Sequence, residues 1–386
     1  MKNLLTSLIA LVAMAVFGAA RSPAQSMDDL NLQIHGYATQ GFVYSTNNNW
    51  DSTSSSDGSA GWTDAVVNLS VQPLPKLRIG VQARYFLLGT YGNTIILDWA
   101  EADYKVNERF GFRVGDVKTP VGLLNETQDI DPAHLWVLLP QSVYSIASRS
   151  SQLDDDGGVV YGAIPIGESG GKVAYRGYGG QRVINGQDGY FQPFRDEGMS
   201  LPNGITGRTF GGTLRWDAPI QGLEAGASVD SECSSGSLLA GTYMGTVSIR
   251  RAYIPYYFTR YERNKVMVAG EYSRIAVLSL VQFPGAPPAY TRTDDRNFYV
   301  MASYKLAEKL TAGAYYSSSI NLQVPVSSAR YQKDWTVAGR YDFSPNLYLK
   351  LEQHFIDGTL IGLAGIDNPN LQPNMRMTML KMGVSF

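Results

Sequence analysis

From about residue 30 to the C-terminus, apolar and polar positions alternate in segments of about ten residues, separated by turn signals. Leu77, Ile79, Val81, Ala83, Tyr85 and Leu87 fall on one face of a strand, and Arg78, Gly80, Gln82 and Arg84 on the other. The same rhythm recurs with Ala100, Ala102, Tyr104 and Val106 against Glu101, Asp103 and Lys105. It returns with Phe298, Val300, Ala302, Tyr304 and Leu306 against Tyr299, Met301, Ser303 and Lys305. Trp335, Val337, Gly339, Tyr341 and Phe343 repeat it, as do Leu347, Leu349 and Leu351. One such segment would fit a soluble sandwich. Many together predict an all-β chain, a transmembrane antiparallel β-barrel with lipid outside and water inside.

The connections differ in length. Short turns are expected at 73–76, 107–110, 166–171, 218–222, 262–265, 307–309 and 344–346. Long loops are expected at about 45–60, 120–157, 180–205, 231–244, 281–294, 320–332 and 358–374. Short turns on one side and long loops on the other suit a barrel of about sixteen strands, with fourteen and eighteen as alternatives.

The N-terminus changes the picture first. Lys2 precedes an apolar run, Leu4 to Phe17, and small residues follow at Gly18, Ala19, Ala20 and Ala24. This is the pattern of a cleaved signal peptide, residues 1–26, with cleavage after Ala20, Ala24 or Ser26. The run is shorter than a membrane-spanning helix requires. Residues 27–386 then form the barrel. Composition agrees: charged residues make up 17%, glycine occurs 40 times and tyrosine 24 times. One cysteine argues against a disulfide framework, and three histidines leave little for a metal cluster. A net charge of -2 argues against a nucleic-acid partner. No cofactor or metal is expected.

Two stretches carry a family resemblance. The chain ends Met375-Arg-Met-Thr-Met-Leu-Lys-Met-Gly-Val-Ser-Phe386, with Leu380, Met382, Val384 and Phe386 on one face. This resembles the last strand of bacterial outer-membrane proteins, whose terminal aromatic is read by the barrel-assembly machinery. Gly115, Lys118, Pro120 and Gly122 form a Gly-x-x-Lys-x-Pro-x-Gly stretch that resembles porins, including the phosphate-selective type, where a strand ends and a long loop begins. The resemblance implies a sixteen-stranded barrel in the cell outer membrane, contacts with outer-membrane lipid, and a homotrimer. It further implies that the third long loop, 120–157, folds into the lumen of a channel for small hydrophilic solutes or ions.

Charge gives that loop a candidate role. Glu126, Asp129, Asp131 and Arg149 lie in it. Arg78, Arg84, Arg113, Arg215 and Arg340 sit on expected inward faces, with Lys118 at the loop's start. Loop acids opposite wall arginines would set a transverse field that selects ions and orients polar solutes. The plainer reading is that the acids are solvated and the arginines pair with neighbouring strand acids. Asp154–Asp156 lacks the spaced ligands of a calcium loop and reads as a solvated charge run. Trp50, Trp62, Trp136, Tyr144, Tyr190 and Phe191 could line a sugar path, but interfacial girdles are the simpler expectation, with Trp99, Trp216 and Trp335 assigned to them. Cys233 is expected in a loop. His134 lies near Ser142, Ser145 and Ser148, yet no nucleophile motif stands out, so no catalytic residue and no enzyme is expected. The rival is a non-channel outer-membrane barrel, an adhesin or structural protein.

Overall fold

The computed structural model describes residues 31–386. The expected signal peptide, 1–26, lies outside them. Seventeen strands form one sheet. They are β1 (Gln33–Ser45), β2 (Ser59–Leu74), β3 (Leu77–Leu88), β4 (Tyr91–Asn107), β5 (Phe110–Lys118), β6 (Asp154–Pro165), β7 (Lys172–Ile184), β8 (Met199–Ser200), β9 (Ile205–Asp217), β10 (Leu223–Ala240), β11 (Tyr243–Arg263), β12 (Val266–Gln282), β13 (Ala289–Ala307), β14 (Leu310–Asn321), β15 (Tyr331–Ser344), β16 (Leu347–Gly358) and β17 (Asn374–Ser385). The two-residue β8 rests on the end of β10 at Leu239 and Ala240. The other sixteen make a closed antiparallel wall, because β1 pairs with both β2 and β17. Phe386 completes the seam: its amide donates to Gly36 O at 3.0 Å and the Gly36 amide donates back at 3.1 Å. Closure leaves no unpaired edge, the condition for a sheet to cross lipid.

The alternation seen in sequence becomes the two faces of this wall. Val67, Leu69, Phe298, Val300, Tyr304, Trp335, Val337, Tyr341, Phe343, Leu351, Leu380, Met382, Val384 and Phe386 are exposed outside. Asp64, Arg84, Asp230, Glu271, Lys350, Glu352, His354 and Lys381 are buried inside. This is the reverse of a soluble barrel, and it follows from lipid wetting one face.

Two expected long loops are strand instead. Segment 231–244 continues β10 and β11, which meet over residues 241–242, and 281–294 shrinks to 283–288. Cys233 is accordingly an exposed strand residue, not a loop residue. The 120–157 loop is bounded by β5 and β6 at 119–153, so Asp154–Asp156 opens β6. That run is not simply solvated: Asp155 is buried and pairs with Arg182 at 3.0 Å. Trp99 does not join an outer girdle, since its ring covers inward-facing Gly80.

Candidate pore interior

The stretch that opens the long loop turns the chain sharply. Gly122 has φ +61°, and a Cβ there would stand 2.4 Å from Glu271 Oε1 and 2.8 Å from the Tyr144 hydroxyl. Only glycine fits. With that Cβ absent, the backbone reaches the far wall. The Gly122 amide donates to Ser228 Oγ at 2.8 Å, the Leu123 amide to Glu271 Oε1 at 3.0 Å, and Pro120 O accepts the Thr213 hydroxyl. The Tyr144 hydroxyl donates to Glu271 Oε2 at 2.6 Å and accepts from the Leu123 and Leu124 amides at 3.0 and 2.8 Å, which closes the loop on itself.

Two aspartates tie the next stretch to other strands. Asp129 meets Arg149 at 2.5 Å, Lys118 at 3.0 Å and Arg84 at 3.3 Å, while its backbone oxygen accepts from the Tyr37 hydroxyl. Burial alone would raise its pKa, but these three cations hold it well below the usual carboxylate range. Asp131 accepts from Lys381 at 2.7 Å, Tyr348 at 2.7 Å and Lys350 at 3.0 Å. Burial opposes ionisation there too, and Lys350 with Lys381 overcomes it. His134 has no such carboxylate bond. Its Nε2 meets Thr127 O at 2.7 Å, and burial depresses its pKa to about 4. Further on, the Val137 and Leu138 amides donate to Glu352 at 2.8 and 3.1 Å. His354 Nε2 bonds Glu352 at 2.8 Å and its Nδ1 bonds Asp334 at 2.8 Å. Arg340 reaches Pro132 O and His134 O at 2.5 and 3.0 Å. The loop thus bonds to strands spread around the whole wall.

Charges on the short-turn side remain half-exposed. Arg113 meets Glu126 at 3.2 Å and Asp103 at 3.4 Å. Arg176 meets the other Glu126 oxygen at 2.5 Å. Arg215 lies 3.2 Å from Asp217, and Arg260 lies 2.9 Å from Glu224. Arg78 is exposed and makes no hydrogen bond or ion pair among the described residues. The long-loop side differs. Ile205, Leu238, Val247, Ile249, Ala252 and Val277 face inward and pack against Phe191 and Leu201 of the 185–204 connection.

Most of the sequence candidates are therefore in direct ion pairs; Arg78 is not, and Arg215 pairs with the strand acids Asp217 and Glu224. Arg84, Lys118, Arg149 and Asp129 form one cluster, Glu126 and Arg113 another. Asp131 joins Lys350 and Lys381, which pattern reading missed, as it missed Asp64, Asp98, Arg176, Arg182, Asp230, Glu271, Asp334 and Glu352. Their signal was the inward alternation phase, legible for Lys350 and Glu352 opposite Leu349 and Leu351. Of the aromatics considered for a sugar path, Trp50, Trp62, Trp136, Tyr144 and Phe191 are buried packing residues. Ser142 donates to Phe298 O, not to His134.

No family model matches the chain, and no curated protein matches it. Solved structures do. OmpF of Salmonella typhi, in complex with daunomycin, superposes with TM-score 0.57 at 14% identity, over 92% of this chain and 97% of that one. The anion-selective porin of Comamonas acidovorans gives 0.52 at 10% identity, over 92% and 99%. The outer membrane channel DcaP of Acinetobacter baumannii gives 0.53 at 10% identity, over 94% and 99%. At these identities the likeness is one of architecture. In fold, this chain is a closed, porin-like β-barrel.

Proposed function

We propose that this protein is an outer-membrane porin, a water-filled channel for passive diffusion of small hydrophilic solutes or ions. In this reading residues 1–26 are the export signal, and loop 120–157 crosses the lumen and narrows it. The observation that carries the proposal is the spread of that loop's bonds, from Tyr37 and Arg84 to Glu271 and Glu352, on inward faces around the wall. The half-exposed Arg113, Arg176 and Glu126 then line the passage, and Arg78 meets solutes at its short-turn end. The buried clusters around Asp129 and Asp131 position the loop rather than touch the solute. The porin resemblance supports a homotrimer.

A second reading has its own observation. Lys350, Glu352 and His354 have no exposed area, and Met375, Met377 and Met379 pack with Trp62, Val137 and Leu138. An interior filled to that degree would suit a closed, non-channel barrel. Catalysis finds less support, because His354 is enclosed and its neighbours are Thr336, Asp334 and Glu352.

Refolded mature protein in a planar bilayer separates these readings. Stable single-channel steps, with a reversal potential that moves toward anions in Glu126→Gln, support the porin. A folded barrel without steps overturns it in favour of the closed barrel.

A further inference from the structure

We propose that the outer wall of β11, β12 and β13 binds phosphate groups of outer-leaflet lipid. The inference rests on reading this barrel as embedded in the outer membrane, and it concerns the wall's outside, not the pore. On β13 the outward positions run apolar through Leu306, Tyr304, Val300 and Phe298, then turn to Arg296, Asp294 and Arg292. On β12 they run through Val266, Val268 and Tyr272, then reach Arg274. On β11 a bulge intervenes. Ile249 and Ala252 are both buried inside, at 3% and 2% exposure, so Arg250 and Arg251 between them both face outward and exposed. The change from apolar to basic comes at Arg296 beside Arg274 on β13 and β12, and four residues further along on β11, where Arg251 and Arg292 flank Leu278. Both rungs lie on the long-loop side, the side that faces the cell exterior in outer-membrane barrels.

The register gathers these charges. Arg274 stands opposite Arg296, and Arg251 and Arg292 both pair with Leu278. Like charges directly across a sheet destabilise it. Asp294 relieves Arg274 with bonds of 2.7 and 2.8 Å. Arg292 and Arg296 take no hydrogen bond or ion pair among the described residues. One carboxylate thus faces five guanidiniums. A guanidinium fork matches phosphate oxygens two at a time, and phosphate-bearing headgroups are the anions that occupy the boundary just beyond an apolar belt.

The test uses mature full-length protein in neutral detergent with three probes: bisphosphorylated lipid A, the same lipid with its phosphates removed, and inorganic phosphate. Bound lipid is counted by native mass spectrometry. Wild type is expected to retain the bisphosphorylated lipid alone. The triple variant Arg274→Gln, Arg292→Gln, Arg296→Gln should bind it about a hundredfold more weakly, from roughly fivefold per arginine near an anionic lipid surface. Arg263→Gln, at the other end of β11, should bind as wild type does. Unchanged affinity in the triple variant, or equal retention of the phosphate-free lipid, would overturn the proposal. Equal binding of inorganic phosphate would replace the lipid surface by a solute site and overturn it too. The triple variant should conduct like wild type, so failure of the pore reading would appear separately, as absent steps in both.

Discussion

Asp131 shows how single residues hold the interior together. The side chains of Lys350 and Lys381 are 0% and 4% exposed, and Asp131 is the carboxylate both of them meet. Asp131→Ala leaves two buried ammonium groups without it. Removing one partner of a buried ion pair costs about 3–5 kcal/mol. The loop amides of Val137 and Leu138 should then exchange hydrogen much faster while strand amides stay protected. Equal protection in wild type and variant would refute the clamp. His134 adds a pH dependence whose sign can be worked out. Its docked pKa is lowered to about 4, against an ordinary 6.5. Between those values a released loop binds a proton that the docked loop excludes, so docking weakens as pH falls from 6.5 to about 4. Asp129 and Asp131 are depressed too, but as carboxylates they gain stability from ionisation. Their contribution is complete above the ordinary carboxylate value and fades only at lower pH. Protease cleavage within 120–157 should therefore rise between pH 6.5 and 4 more steeply in wild type than in His134→Gln; equal slopes would contradict the role of His134.

At the scale of elements, legibility in the sequence followed solvent contrast. Strands β3, β13, β15 and β16 were readable because lipid faces one side and polar groups face the other. The end of β10 hid because Cys233, Ser235 and Ser237 on its outward face are small and polar rather than apolar. The adjoining part of β11 hid because its phase inverts. Val247, Ile249, Ala252 and Ile254 point inward, three of them against Phe191 and Leu201, while Arg250 and Arg251 point outward. Alternation reports which side is apolar, and here a loop makes the inside apolar. The last strand was readable in full. Phe386 stays exposed outside while its backbone locks onto Gly36. Deleting Phe386 removes both seam bonds and the expected assembly signal. Heat-modifiable gel mobility should show a several-fold loss of folded barrel; an unchanged yield would show that the seam forms without it.

For the whole molecule, the sequence placed a long charged loop after β5 and put arginines on the wall facing it. It did not reveal that these charges meet in pairs, since pairing depends on which strands face each other across the barrel. Asp131 and Lys381 stand 250 residues apart. The account's central claim is that this tethered loop sets the size of the passage. Lys118 and Asp154 are direct cross-strand partners, so a short Gly-Ser turn can join them and delete the loop without moving the wall. Single-channel conductance of wild type beside this loop-less variant is the most direct test. The account predicts small stable steps in wild type and several-fold larger steps in the variant. Equal steps in the two would contradict it.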